Sequence, residues 1–182
     1  MADRKAHNNW QSPQWLVSLI ANMAPIGLDP CTTAYNPTGA ARFFTAHDNG
    51  LRYTWSGRGL VYCNPPFSLP LVRHFTGKMI VESETFAPGD AGLLLLPGKT
   101  DTKVYHAAMK SCQLALLFDK RFQFEGEVGG QQPMFGCALF GFWSHHRLWH
   151  PRFCETFKGH GTIVMVESKT YFEAGGEDGK FE

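Results

Sequence analysis

The 182-residue chain contains no apolar run long enough to span a bilayer. Its opening stretch, Met1 to Asn9, is polar and lacks the apolar core of a signal peptide. Its five cysteines are odd in number and irregularly spaced, which argues against a secreted disulfide framework. A reducing cytoplasm is the simplest compartment. No internal repeat is visible. His145, His146, His150, Cys154 and His160 gather in one segment, but without a paired CxxC or an HxxxH that has a partner. A polar, aromatic-rich surface loop explains them better than zinc, and no metal site is expected. Net charge is nearly absent as well, at +1. It is unevenly placed: five acids and two lysines follow Val166, leaving 15 basic and 11 acidic residues before them. A modestly basic body is compatible with phosphate contact, and equally with an ordinary solvated surface.

What remains is the composition of a folded domain, 43% hydrophobic and only 18% charged. One domain is expected over residues 1–172, with a polar, Gly-rich tail at 173–182 that frays. The most informative stretch is Gly59-Leu60-Val61-Tyr62-Cys63, a short buried strand, delivering Asn64-Pro65-Pro66-Phe67 just past its carboxyl end. The prolines end the strand because they cannot donate to a ladder. In open α/β sheets ligands bind at that end. Asn-Pro also marks ordinary turns, but these four residue types suit the exocyclic amine of a nucleobase. The lone pair of such an amine is delocalised into its ring. A side-chain oxygen from Asn64 and the carbonyl of Pro65 can each accept one of its hydrogens, drawing the nitrogen toward tetrahedral geometry. Phe67 offers a face on which a base, once out of the duplex, can stack.

Along the chain, Ser12 reads as an N-cap and Pro13 as a first helical residue. Leu16, Leu19, Ile20 and Met23 then give an amphipathic helix ending near Pro25-Ile26-Gly27. Gly27 to Asp29 reads as a very short strand, Thr32 to Arg42 as a loop, and Arg42 to Thr45 as a second short strand. Asp48-Asn49-Gly50-Leu51 is a turn signal. A helix follows through Val72, Phe75 and Met79 to about Glu84, then a loop from Thr85 to Gly92. Leu93 to Leu96 reads as a buried strand, Thr102 to Lys110 as a helix capped by Asp101 or Thr102, and Leu114 to Phe118 as another strand. Arg121 to Glu125 alternates as a strand does, and Glu127 to Gln132 reads as a flexible loop. Cys137 to Trp143 is expected to pair back as a hairpin partner, Ser144 to Gly161 to be an irregular insert, and Thr162 to Val166 to be the last strand. The fold class expected is α/β, a mostly parallel, Rossmann-like sheet with an antiparallel hairpin near its C-terminal end.

Six pieces carry a resemblance: Trp10-Gln11-Ser12-Pro13, Leu28-Asp29-Pro30-Cys31, Arg42-Phe43-Phe44-Thr45 with Asp48-Asn49-Gly50-Leu51, Cys63-Asn64-Pro65-Pro66-Phe67-Ser68, Leu96-Pro97-Gly98-Lys99-Thr100-Asp101-Thr102, and Arg121-Phe122-Gln123-Phe124. In this order they resemble the phage-type DNA N-6-adenine methyltransferase (phage Dam) family, over about Trp10 to Phe142. The resemblance implies a phage or prophage enzyme working in a bacterial cytoplasm on DNA, as a monomer or homodimer. It implies S-adenosylmethionine as donor and Asn64, Pro65, Pro66 and Phe67 as the catalytic element. Trp10, Ser12, Pro13, Asp29, Pro30, Asp48 and Asn49 would bind the donor. Ser12 would meet its amino-acid end, Asp29 its methionine or ribose part, and Asp48 its adenine amine. Three features depart from the wider pattern: Pro30-Cys31-Thr32-Thr33 replaces a glycine-rich turn, the acidic residue that often ends the second strand and binds ribose hydroxyls has no counterpart, and Phe67 stands where tyrosine is commoner.

The amine of cytosine presents similar hydrogens and stays open as the acceptor, and so does a non-catalytic DNA-binding relative of the fold. A cysteine nucleophile at Cys31 is not expected, because it lies beside the wrong strand. Little chain is left for reading a DNA sequence. Lys99, Arg121, Arg147 and Arg152 are candidate DNA contacts, with the insert offering aromatics interleaved with cations, so a short or relaxed target is expected.

Overall fold

A computed structural model describes residues 10–125 and 135–166. The expected loop at Glu127 to Gln132 and the tail at 173–182 lie outside the described residues. Helix α1 (Gln14–Met23) precedes β1 (Ile26–Asp29) and β2 (Arg42–Phe43). A single 3-10 turn at Gly50–Arg52 leads to β3 (Leu60–Cys63), α2 (Leu71–Ser83), β4 (Ala91–Pro97), α3 (Lys103–Ser111) and β5 (Leu114–Phe118). Then come β6 (Cys137–Phe142), α4 (His146–Phe157) and β7 (Gly161–Met165).

The seven strands form one mixed sheet in the order β2-β1-β3-β4-β6-β5-β7. The first four pair in parallel, and the pairings of β6 with β4, β6 with β5, and β5 with β7 are antiparallel. The expected hairpin partner is therefore present, but it does not sit at an edge. Strand β6 wedges between β4 and β5, so half of the sheet's pairings are antiparallel.

Successive side chains of a strand face opposite ways, and both faces are covered. Tyr62, Leu93, Leu95, Leu116 and Leu139 pack with Leu16, Val17 and Ile20 of α1 and with Trp149, Phe153 and Phe157 of α4. Val61, Cys63, Leu94, Leu96 and Phe140 pack with Val72, Phe75 and Met79 of α2 and Tyr105 of α3. Burial on both faces explains why β4 reads as an unbroken apolar run, with all seven residues buried.

Three local expectations are corrected. Ser12 does not cap α1. Pro13 occupies the cap position with φ −65° and no side-chain bond, and the Gln14 amide donates instead to Glu125 Oε1 at 2.9 Å. Arg121 to Glu125 forms no strand and keeps only an isolated bridge between Gln11 and Glu125. Its alternation is real, since Phe122 and Phe124 are buried and their neighbours exposed. The segment is extended, but β6 and β7 already occupy both sides of β5. Finally, the insert at Ser144 to Gly161 is mostly helix α4, with Pro151 inside it. Trp149, Phe153 and Phe157 recur every four residues on its core face and are at most 2% exposed. They are unavailable for stacking on bases.

Phe153→Ala is expected to destabilise the protein by about 3–5 kcal/mol, as loss of a fully buried ring does. Denaturant unfolding checks this. A loss below about 1 kcal/mol would mean that α4 is not part of the core.

Candidate active site

Strand β1 leads to β2 on one side, while β3 lies on its other side. The gap above the carboxyl ends of β1 and β3 is thus a topological switch point, the usual place for a ligand in such sheets. A cavity of about 580 Å³ opens there. Asp29, Pro30, Cys31 and Thr33 line it from the end of β1, and Asn64 and Pro66 from the end of β3. Thr38, Asn49 and Gly50 come from the loops, and Trp10 and Ser12 from the segment ahead of α1. Close packing of backbone shapes the wall. A Cβ at Gly50 would stand 2.0 Å from the Pro30 carbonyl oxygen, so that position accepts only glycine.

The Asn64 carboxamide has one defined orientation. A nitrogen of its side chain lies 2.6 Å from the Trp10 carbonyl oxygen and 3.0 Å from Ser12 Oγ. A backbone carbonyl only accepts, so the amide nitrogen must face Trp10 and the oxygen must face away. That oxygen, Oδ1, is buried and has no hydrogen-bond partner among the described residues. Ser12 Oγ is held in turn by the Tyr62 hydroxyl at 2.5 Å. Tyr62 is fully buried within β3, and burial pushes its phenol well above its ordinary pKa, so it stays protonated.

Asp29 is 3% exposed. Its carboxylate accepts the Cys31 amide at 3.1 Å and the Thr38 hydroxyl at 2.9 Å. These bonds favour the charged form, but desolvation outweighs them, and the pKa is pushed up to about 6. Among the described residues, Asp29 is the only acid lining the cavity, and neither Lys nor Arg lines it. Cys31 and Cys63 lie with their sulfurs 3.5 Å apart, and burial raises both thiols, which holds them in the unreactive protonated form.

Phe67 is half-buried and turns away from this cavity. Its ring packs edge-to-face against Phe124 at 5.7 Å and Phe135 at 5.9 Å. On its other side it lines a second hollow of about 320 Å³ between the starts of α2 and α3. The Asn-Pro-Pro-Phe element therefore straddles two cavities.

The structure brings together Trp10, Ser12, Asp29, Pro30, Asn49, Asn64 and Pro66, and puts Phe67 and Lys99 in the neighbouring hollow. Pro65 is buried between them. Pro13 stands at the head of α1, outside the cavity lining. Asp48 also lies outside it. Its exposed carboxylate turns back to the Thr45 amide at 2.9 Å and hydroxyl at 2.7 Å, bonds that hold its pKa below the usual range. Arg121 borders a separate hollow with Trp15 and His160. The start of α4 is tied to Phe86 and Pro88, ahead of β4, which puts Arg147 toward the amino ends of the parallel strands, away from Asn64 at the carboxyl end of β3. Arg152 lies over the Trp149 ring. Thr38 and Tyr62 hold the site together yet carry no signal in the sequence. One reads as loop polarity and the other as core.

Residues 2–146 match the family described as DNA N-6-adenine-methyltransferase (Dam), which is most of the chain. The chain belongs to the DNA N-6-adenine-methyltransferase family. It is an enzyme of that type, and DNA is the substrate that the family implies. Among curated proteins none matches the chain. Helix α4 and β7 fall almost wholly beyond the matched residues although α4 closes one face of the core. No helix among the described residues is long and apolar enough to cross a membrane.

The Asp29 environment makes a pH signature. An acid whose folded pKa of about 6 exceeds its unfolded value near 3.8 binds its proton more tightly when folded. Its contribution is intact at low pH and is lost as pH rises from about 4 to about 6, by roughly 3 kcal/mol. Asp29→Asn should therefore gain stability over the wild type across that window and keep the gain at neutral pH. Unfolding curves of both proteins at about pH 4 and pH 7 check this, and parallel pH profiles would contradict it.

Proposed function

We propose that this enzyme transfers the methyl group of S-adenosylmethionine to the exocyclic N6 amine of adenine in DNA, with the donor in the cavity above β1 and β3 and the target base against Phe67. The observation that carries the reading is the buried, unpartnered Oδ1 of Asn64 at the junction of the two cavities. An unpaired buried acceptor is costly unless a ligand satisfies it. The N–H of an adenine amine supplies the missing donor.

The residues present fit the donor. It bears a sulfonium and an ammonium, and the cavity offers one carboxylate, that of Asp29, and no competing Lys or Arg. Thr33 Oγ1, another buried oxygen without a partner, is available to the donor's polar groups. The donor supplies an already activated methyl, so the protein's work is positioning. Asn64 Oδ1 and the Pro65 carbonyl accept the two amine hydrogens and direct the nitrogen lone pair out of the base plane. Trp10 and Ser12 keep the carboxamide from rotating. Phe67, braced by Phe124 and Phe135, gives the base a stacking surface. The sheet with helices on both faces and the site at the switch point support a Rossmann-like donor fold. Among the described residues no separate recognition domain stands outside the sheet and its helices, which supports a short or relaxed target sequence.

Incubation of unmethylated DNA with the protein and methyl-labelled donor, followed by mass spectrometry of the nucleosides, checks the reading. The expected product is labelled N6-methyladenine. Labelled N4-methylcytosine would move the reaction to the other amine, and the absence of label in any base would overturn the reading.

A further inference from the structure

We propose that Arg73 and Lys103 clamp a phosphodiester of the DNA strand beside the nucleotide held on Phe67. The inference deepens the function proposed above and rests on it. The hollow on the far side of Phe67 is lined by Leu69, Val72, Pro97, Val104 and Tyr105, and its rim carries Arg73, Lys99 and Lys103. No acid lines it. The two cavities flanking the Asn-Pro-Pro-Phe element are thus opposite in charge. The larger one has a lone carboxylate, and the smaller one has three cations over an apolar floor. A cationic donor suits the first, and a nucleotide with its phosphates suits the second.

The backbone adds to this field. Arg73 lies in the first turn of α2 and Lys103 begins α3, so two helix N-termini converge on the hollow. Neither first turn contains an acid. Asp101 stands just ahead of the Thr102 cap and offsets the α3 end in part, whereas no acid flanks the start of α2, so the positive end of the α2 dipole favours an anion. Thr102 is already engaged, since its hydroxyl accepts the Tyr105 amide and donates to the Lys99 carbonyl. Lys99 is partly committed as well, with its ammonium 5.7 Å from the centre of the Phe135 ring. Arg73 and Lys103 are exposed and have no ion-pair partner among the described residues. They approach the hollow from its two sides, as a phosphate clamp requires. Arg73 can meet the phosphate through two parallel N–H groups, and Lys103 meets it as a point charge.

The test is a double-mutant cycle between protein and DNA. A duplex that the wild type methylates is prepared with a neutral methylphosphonate at each phosphate flanking the target adenine in turn, and affinity is read by fluorescence anisotropy. For the wild type, one position should weaken binding about tenfold. The Arg73→Ala, Lys103→Ala double variant should bind unmodified DNA more weakly, with a salt slope lower by about one, because one phosphate contact is lost. It should also be indifferent to the methylphosphonate at that position. Arg73→Lys should keep the wild-type salt slope but lose part of the affinity, since lysine keeps the charge and not the paired N–H contact, and donor affinity by calorimetry should be unchanged in every variant. Wild-type affinity in the double variant would overturn the clamp, as would losses that add in full. A wild-type protein that methylates no DNA would instead overturn the underlying reading of function, before any variant is compared.

Discussion

The site depends on one hydrogen-bonded arrangement, the anchoring of the Asn64 carboxamide by the Trp10 carbonyl and Ser12 Oγ. A free asparagine at a strand end can present either its oxygen or its nitrogen. Here the second choice is blocked, because the nitrogen already faces a group that only accepts. The arrangement is costly to the free protein, since it leaves a buried oxygen unpaired. It also explains the segment ahead of α1. Trp10 packs on Phe124, and Gln11 bridges to Glu125, with backbone bonds of 3.0 and 2.8 Å. The same Phe124 braces Phe67. One extended segment, 121–125, therefore holds both the carboxamide and the stacking ring.

Charge completes what geometry begins. Asp29 is buried where a cation would relieve its desolvation, and the strain shows as a pKa near 6. Arg73, Lys99 and Lys103 gather where two helices begin, neither with an acid in its first turn. The Asn-Pro-Pro-Phe element stands between, reaching one ligand from each side. The sheet makes this possible, because a change of direction in strand order opens a cleft only at β1 and β3.

The central strand and its Asn-Pro-Pro-Phe turn were legible because prolines and an apolar run are strong punctuation. Helices α1 and α2 were legible from their periodicity, and α3 was read with Asp101 or Thr102 as its cap, a place that Thr102 fills. Helix α4 was not, because Pro151 and a run of histidines hide an apolar stripe that only packing reveals. The place of β6 between β4 and β5 is a long-range choice that no local pattern encodes. The segment 121–125 alternates like a strand because one face is buried, and burial without a ladder produces the same pattern. Within the site, Asn64, Asp29 and Ser12 were read from the sequence as candidates. Ser12 does not cap a helix as expected, and its hydroxyl, at the wall of the cavity proposed for the donor, holds Asn64 and Tyr62. The buried partners Thr38 and Tyr62 were invisible, since a hydroxyl in a loop or a core strand signals nothing until its neighbours are known.

The most direct measurement of the central claim is the single-turnover rate of methyl transfer by Asn64→Ala beside its affinity for the donor. An acceptor that acts on the target amine belongs to the chemical step. The rate should fall on the order of a hundredfold or more, as loss of one preorganised polar group does, with donor affinity nearly unchanged. A rate within about tenfold of the wild type, or a loss confined to donor binding, would contradict the account.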